Sequence, residues 1–184
     1  RATALALMER TESPEAAERV APFLSDDDPL VREAAVGAQR MAAPQDRVLR
    51  LLPVLADPVR SVRMAAAKEL LDAPLARLPG ASQADLDGAM AEWRASLSSR
   101  LDFPETHLQL AGMALTLRAF PQAAAAFREV VRQDPQRVEA WVMLVRIAAA
   151  TEGAAAARAV LDGALSALPE DPALNAIGRE LGRN

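Results

Sequence analysis

The sequence predicts an all-α fold, an α-α superhelix (solenoid) of antiparallel helix pairs. Three observations carry that prediction. The 184 residues contain two internal repeat periods, the signature of an array in which each unit buries its apolar face only against its neighbours. Alanine accounts for 42 of them, a residue small enough to let helices approach closely and the best intrinsic helix former. No segment shows the alternating, β-branched pattern of a strand.

The first period is 31 residues. Leu24-Ser25-Asp26 aligns with Leu55-Ala56-Asp57, Val31-Arg32-Glu33-Ala34-Ala35 with Val62-Arg63-Met64-Ala65-Ala66, and Pro22 with Pro53. One further step back places Arg1 on Arg32, so the sequence is expected to open inside the second helix of a repeat. The second period is 34 residues: Ala89, Ala123 and Ala157 share it, as do Trp93, Phe127 and Leu161, pairing a small with a large apolar residue four positions on. The change of period falls between Asp72 and Ser82, where Pro74, Pro79 and Gly80 interrupt helical periodicity. The expected organisation is therefore 1–72, a 73–82 join containing Pro and Gly, and 83–184. The join allows two readings, a hinge or a close seam in one continuous solenoid.

Caps and prolines locate the helices in order. Ser13 before Pro14, Asp28 before Pro29, Asp57 before Pro58 and Asp171 before Pro172 each read as an N-cap followed by proline in the first turn, where its missing N–H costs nothing. Ser82 with Asp85 resembles a capping box. The predicted helices are 2–11, 14–25, 29–42, 45–56, 58–72, 83–99, 104–119, 121–133, 138–151, 154–167 and 172–182, with bends at Pro22 and Pro53.

Residues 1–72 resemble short bacterial HEAT-like repeats, through Leu24, Asp26, Val31, Arg32, Ala34 and Ala35 and their counterparts Leu55, Asp57, Val62, Arg63, Ala65 and Ala66. The resemblance implies a ladder between adjacent repeats made by turn aspartates Asp26 and Asp57 and helix arginines Arg32 and Arg63. Residues 83–184 resemble tetratricopeptide repeats. Trp141, Leu144, Ala157, Leu161, Ala164 and Pro169 fit one copy; Leu110, Ala111, Ala123, Phe127 and Pro135 fit the copy before it, with His107 at the usual aromatic position. Ala89 and Trp93 belong to a half copy whose first helix is missing, a slot the helix at 58–72 could fill. The last helix, with Gly178 where a large residue is expected, reads as a solvating cap.

Composition excludes much chemistry. There is no Cys, no Tyr, one His (His107) and one Lys (Lys68), so thiolate catalysis, disulfides and multi-His metal sites are absent from these residues. The formal charge of −4 is evenly spread, which argues against nucleic acid as a partner, and no stretch has the length of a membrane-inserting helix. No catalytic residue, metal ligand or cofactor is predicted. Asp26, Asp27 and Asp28 lack the alternating oxygen ligands of a calcium loop and read as caps, His107 reads as a packed side chain, and Trp93, Trp141 and Phe127 read as core.

The tetratricopeptide resemblance implies a concave groove lined by first helices, at Leu108, Gln109, Gly112, Met113, Thr116, Val142, Met143, Arg146 and Ala150. The Lys and Asn of the peptide-carboxylate clamp found in some relatives are missing there. What remains is an apolar, Met-containing groove with one cation, suited to a protein partner's amphipathic helix or extended apolar peptide. A neighbouring segment of the same polypeptide or a second copy, giving a homodimer, fits it equally well.

The expected function is non-enzymatic protein–protein interaction. Two further resemblances give alternatives. Glu92-Trp93-Arg94 and Pro104-Glu105-Thr106-His107-Leu108, following HEAT-like repeats, resemble the C-terminal region of bacterial multihaem cytochrome c proteins with a tetratricopeptide tail, which implies an upstream haem domain and export to the periplasm rather than a cytoplasmic location. The HEAT-like repeats also resemble those of phycobilin lyases, which implies tetrapyrrole handling, although no acid or base here serves it.

Overall fold

The computed structural model describes residues 2–8, 13–73, 75 and 78–182. Among them lie eleven α-helices and no strand: α1 (Ala2–Met8), α2 (Pro14–Val20), α3 (Pro29–Ala38), α4 (Pro44–Leu51), α5 (Arg60–Glu69), α6 (Gly80–Ser98), α7 (Pro104–Thr116), α8 (Phe120–Gln133), α9 (Val138–Thr151), α10 (Ala154–Ala167) and α11 (Pro172–Gly182). The chain is an all-α helical-repeat structure, as its two periods require. Contacts divide it into two compact units, Arg1–Ser96 and Leu97–Asn184. This division by packing lies later than the Pro- and Gly-containing join, because Ala89 and its neighbours on α6 bury themselves among residues of α4 and α5. Arg1 and Pro74, invoked for the first repeat and the join, and residues 9–11 of the first predicted helix lie outside the described residues.

The predicted caps are mostly present. Ser13 accepts a hydrogen bond from the Ala16 amide at 3.3 Å, Asp28 from Leu30 at 2.9 Å, and Asp171 from Ala173 and Leu174 at 3.0 and 2.9 Å. Asp57 accepts from Val59 at 2.8 Å, although α5 starts only at Arg60. The capping box at Ser82 and Asp85 is corrected: α6 starts at Gly80, and the Gln83 amide bonds the Pro79 carbonyl, so both residues lie inside the helix. Pro22 and Pro53 do more than bend their helices. Lacking an N–H, each passes the chain into a tighter 3₁₀ turn, over Ala21–Ser25 and Pro53–Ala56.

In the first unit, α1, α3 and α5 stack on one another through alanine. Ala35 and Ala66, one repeat apart, have no exposed surface, and Val31 and Val62 are buried with them. The same repeat carries an ionic ladder. Arg32 donates from Nε and Nη2 to Asp57 Oδ2 and Oδ1 at 2.7 and 3.0 Å, and from Nη1 to the Asp26 and Asp27 carbonyls. Both partners are almost covered, with side chains 12% and 8% exposed. One repeat on, Arg63 Nη1 reaches the carbonyls of Asp57 and Pro58 at 2.7 and 3.1 Å, so the turn-binding half of the pattern repeats residue for residue. Buried Gln39 ties α2 to α3 and α4 by donating to the Ala17 carbonyl at 2.9 Å and accepting from Arg50 at 3.1 Å.

In the second unit, each helix packs on the next, α7 on α8, α8 on α9, α9 on α10 and α10 on α11. Fully covered Ala123 sits in a core with Ala111, Phe127 and Leu144, and fully covered Ala157 in one with Leu161 and Leu174. Gly153 enters α10 at φ 94°, a conformation open to glycine at no steric cost, and Arg118, between α7 and α8, also has a positive φ, 55°.

Two predictions follow from packing and charge. Ala157→Leu forces a larger side chain into a closed helix crossing and should destabilise the protein by about 1–3 kcal/mol in urea unfolding, whereas Ala155→Leu, at an exposed position of the same helix, should be near neutral. Hydrogen bonds from Arg32, aided by the Val59 amide and opposed by partial burial, hold the Asp57 carboxyl below the usual carboxylate range. A carboxyl whose pKa is lowered on folding adds stability above its unfolded value, about 4, and loses it as pH falls towards the folded value. Asp57→Asn should therefore flatten the loss of stability below about pH 4, measured by thermal unfolding across a pH series.

Candidate functional site

The residues predicted to line a groove sit on α7 and α9, two helices that share one core. Ala111 and Ala114 of α7 are buried with Ala140, Leu144 and Ile147 of α9. Arg137, in the turn before α9, pairs with Glu105 in the first turn of α7 and with Asp134 at 2.8 Å, which joins the N-terminal ends of the two helices. Gln109, Gly112, Thr116, Arg146 and Ala150 are exposed, at spacings of three and four residues that keep each set on one helix face.

The apolar members behave differently. Met113, expected in the groove, is only 8% exposed. It lies seven residues, two turns, beyond buried Thr106, and so shares the inward face of α7. Leu108 and Met143 are half-buried against the core that contains Phe127, and Val142 against the core that contains Leu161. The apolar members are therefore half-buried or buried, and the polar and small ones exposed. Arg146 makes no ion pair among the described residues. An added Cβ at Gly112 would meet nothing within 4 Å, so a ligand backbone has room there.

Other candidates are committed to structure. His107 is 8% exposed, and its Nε2 lies 2.7 Å from the Leu101 carbonyl; a carbonyl only accepts, so Nε2 carries the proton. Gln133 donates to the same oxygen at 3.0 Å, closing the start of α7 against the end of α8. Trp141 donates from Nε1 to the Pro135 carbonyl at 2.9 Å, while Trp93 and Phe127 are buried. Asp26 and Asp28 spend carboxylate oxygens on the amides of Asp28 and Leu30, and among the described residues no cluster of three acidic or imidazole groups converges as a metal would need. Glu129, its carboxyl lowered to about 2 chiefly by Arg132 and then by Gln133, belongs to an exposed ion pair one turn apart on α8.

The sequence did not point to the depressions that lie in both units. In the first unit a depression of about 510 Å³ lies over α1, α3 and α5, floored by Ala34, Gly37 and Ala65 and edged by Glu33 and Lys68. In the second, depressions of about 210 and 280 Å³ share Ala124, Arg128, Ile147 and Glu152. Their signal was present in the repeats: Ala34 and Ala65 occupy one repeat position, and small residues at successive helix crossings leave a trough.

The stacked pairs α7–α8 and α9–α10, the Ala-then-large spacing on α8 and α10, and the turn prolines Pro135 and Pro169 give this part of the chain a helical-repeat pattern. Residues 114–180 match the tetratricopeptide repeat family. The match runs from the end of α7 into α11. Neither curated proteins nor solved structures offer a match to the chain. Tetratricopeptide repeats generally mediate protein–protein interaction and are generally non-catalytic. No helix of the described residues is long and apolar enough to cross a membrane.

Because Gln133 still satisfies the Leu101 carbonyl, His107→Phe should cost less than about 1.5 kcal/mol, whereas His107→Ala, which leaves a cavity, should cost about 2–4 kcal/mol. Chemical denaturation of the two variants measures the difference, and equal losses would show that the hydrogen bond rather than the volume matters.

Proposed function

We propose that this chain is a non-enzymatic protein-interaction scaffold whose tetratricopeptide segment and preceding helix α7 bind a partner peptide along the faces of α7 and α9. The observation that carries this reading is the pairing of exposed, small or polar positions on two helices locked to one core. Gly112 and Ala150 leave room for a peptide backbone, Leu108, Val142 and Met143 offer apolar contact, and Arg146 offers a charge to a carboxylate. The absence of Lys and Asn at these positions argues against a doubly clamped C-terminal carboxylate, and the half-burial of the apolar members favours small apolar side chains over a bulky aromatic anchor.

The test is peptide display selected on the wild-type chain, followed by affinity measurement with two variants. Gly112→Arg places a long side chain in open space, and Arg146→Glu reverses the single charge; neither position is buried, so both variants should keep the wild-type melting temperature. Each should weaken a selected peptide by about tenfold or more, since tenfold corresponds to about 1.4 kcal/mol. Selected peptides that bind both variants with unchanged affinity would place the binding surface elsewhere.

A further inference from the structure

The ionic ladder of the first unit ends in an irregular way. A further 31-residue step from Asp57 falls on Gly88, which has no carboxylate. The acid that Arg63 meets is Glu92, one helical turn later and on α6. Arg63 Nε and Nη2 donate to Glu92 Oε2 and Oε1 at 3.1 and 2.6 Å, reproducing the bidentate geometry of Arg32 with Asp57. Arg60, one turn before Arg63, donates from Nη2 to the Glu92 carbonyl at 3.0 Å. Two arginines of α5 thus hold one residue of α6.

The rest of α6 is thinly anchored. Of its 19 residues only Ala89, Trp93 and Leu97 are buried, a stripe one residue wide at intervals of four, with Leu86 and Met90 half-buried beside it. The helices of the 31-residue repeats differ: α3 and α5, at ten residues each, bury four apiece. In the chain, α5 ends at Glu69 and α6 begins only at Gly80. An element with little buried apolar area and a polar anchor opens at lower cost than its surroundings.

We propose that α6 is a latch on the first unit, held closed by the Arg63–Glu92 pair and able to leave its seat while α3 and α5 stay folded. Opening uncovers Leu86, Ala89 and Met90 of α6 together with the Val62, Ala66 and Leu70 surface on which Ala89 is buried. The inference does not depend on the peptide surface of α7 and α9.

Hydrogen exchange followed by mass spectrometry on the full chain tests it. Glu92→Gln keeps shape but loses charge and should raise exchange of amides in 84–95 about fivefold; Glu92→Ala should raise it about tenfold, with amides in 31–38 and 62–68 unchanged. Raising salt to about 0.5 M should speed exchange of α6 in the wild type and not in Glu92→Ala, because the salt weakens only an ion pair that is present. The exchanged pair Arg63→Glu with Glu92→Arg should restore part of the protection. Unchanged α6 exchange in both Glu92 variants overturns the latch. So does a parallel rise across α3 and α5, or loss of the folded state, since either makes α6 part of one cooperative unit.

Discussion

Close approach of helices through alanine is the constraint on which everything else in this molecule depends. Ala35, Ala66, Ala123 and Ala157 have no exposed surface; the first two stand one 31-residue repeat apart and the last two one 34-residue repeat apart. A side chain of one carbon lets the backbone of a neighbouring helix come near enough for the larger residue four positions on, Phe127 or Leu161, to fill the remaining space. The interior gains density rather than bulk, and few large residues are needed: among the described residues the most completely buried leucines are Leu51, Leu55, Leu70, Leu97 and Leu174. Specific polar contacts then fix what alanine, having no shape to lock, leaves free to slide.

Those contacts are of two kinds. Caps at Ser13, Asp28 and Asp171 settle where helices begin, and Asp57 fastens the turn before α5. Arginines settle how helices are spaced: Arg32 and Arg63 each fasten to two turn carbonyls and to an acid further along the chain, and Arg137 does similar work between α7 and α9. Arginine suits this use because its planar fork binds carboxylate and carbonyl at once and keeps its charge at every accessible pH. Twenty Arg against one Lys in the sequence reads, in this light, as a preference for fixed geometry over mere charge.

Much of this was legible in the sequence, for a physical reason. A cap needs a short acceptor at one position, and a repeat shows its register by recurrence, so both leave marks one residue wide. The ladder was expected from Asp26, Asp57, Arg32 and Arg63, and its first full rung is Arg32 with Asp57. The partner of Arg63 was not legible, because Glu92 lies off the 31-residue register and in a stretch that keeps the 34-residue one. Met113 was expected in the groove from the tetratricopeptide resemblance, yet it is buried; a helix face is about three residues wide, and a position at its edge is decided by packing that no local pattern encodes. Ser82 looked like a cap because a Ser with an acid three positions on fits that motif wherever it falls, and only the Pro79 carbonyl, taken up by Gln83, shows that the helix had already begun.

The hydrogen bonds that cross between helices also set how the chain is assembled in time. Arg32 reaches Asp57 over 25 positions, Arg63 reaches Glu92 over 29, and Gln133 reaches Leu101 over 32. Each fastening therefore closes a loop of about one repeat, and none waits for a distant terminus. At a synthesis rate of about 5–20 residues per second, each partner is made within seconds of the other. Contacts this local favour rapid ordering, so the arrays are suited to being completed one repeat at a time while the remainder is still being made.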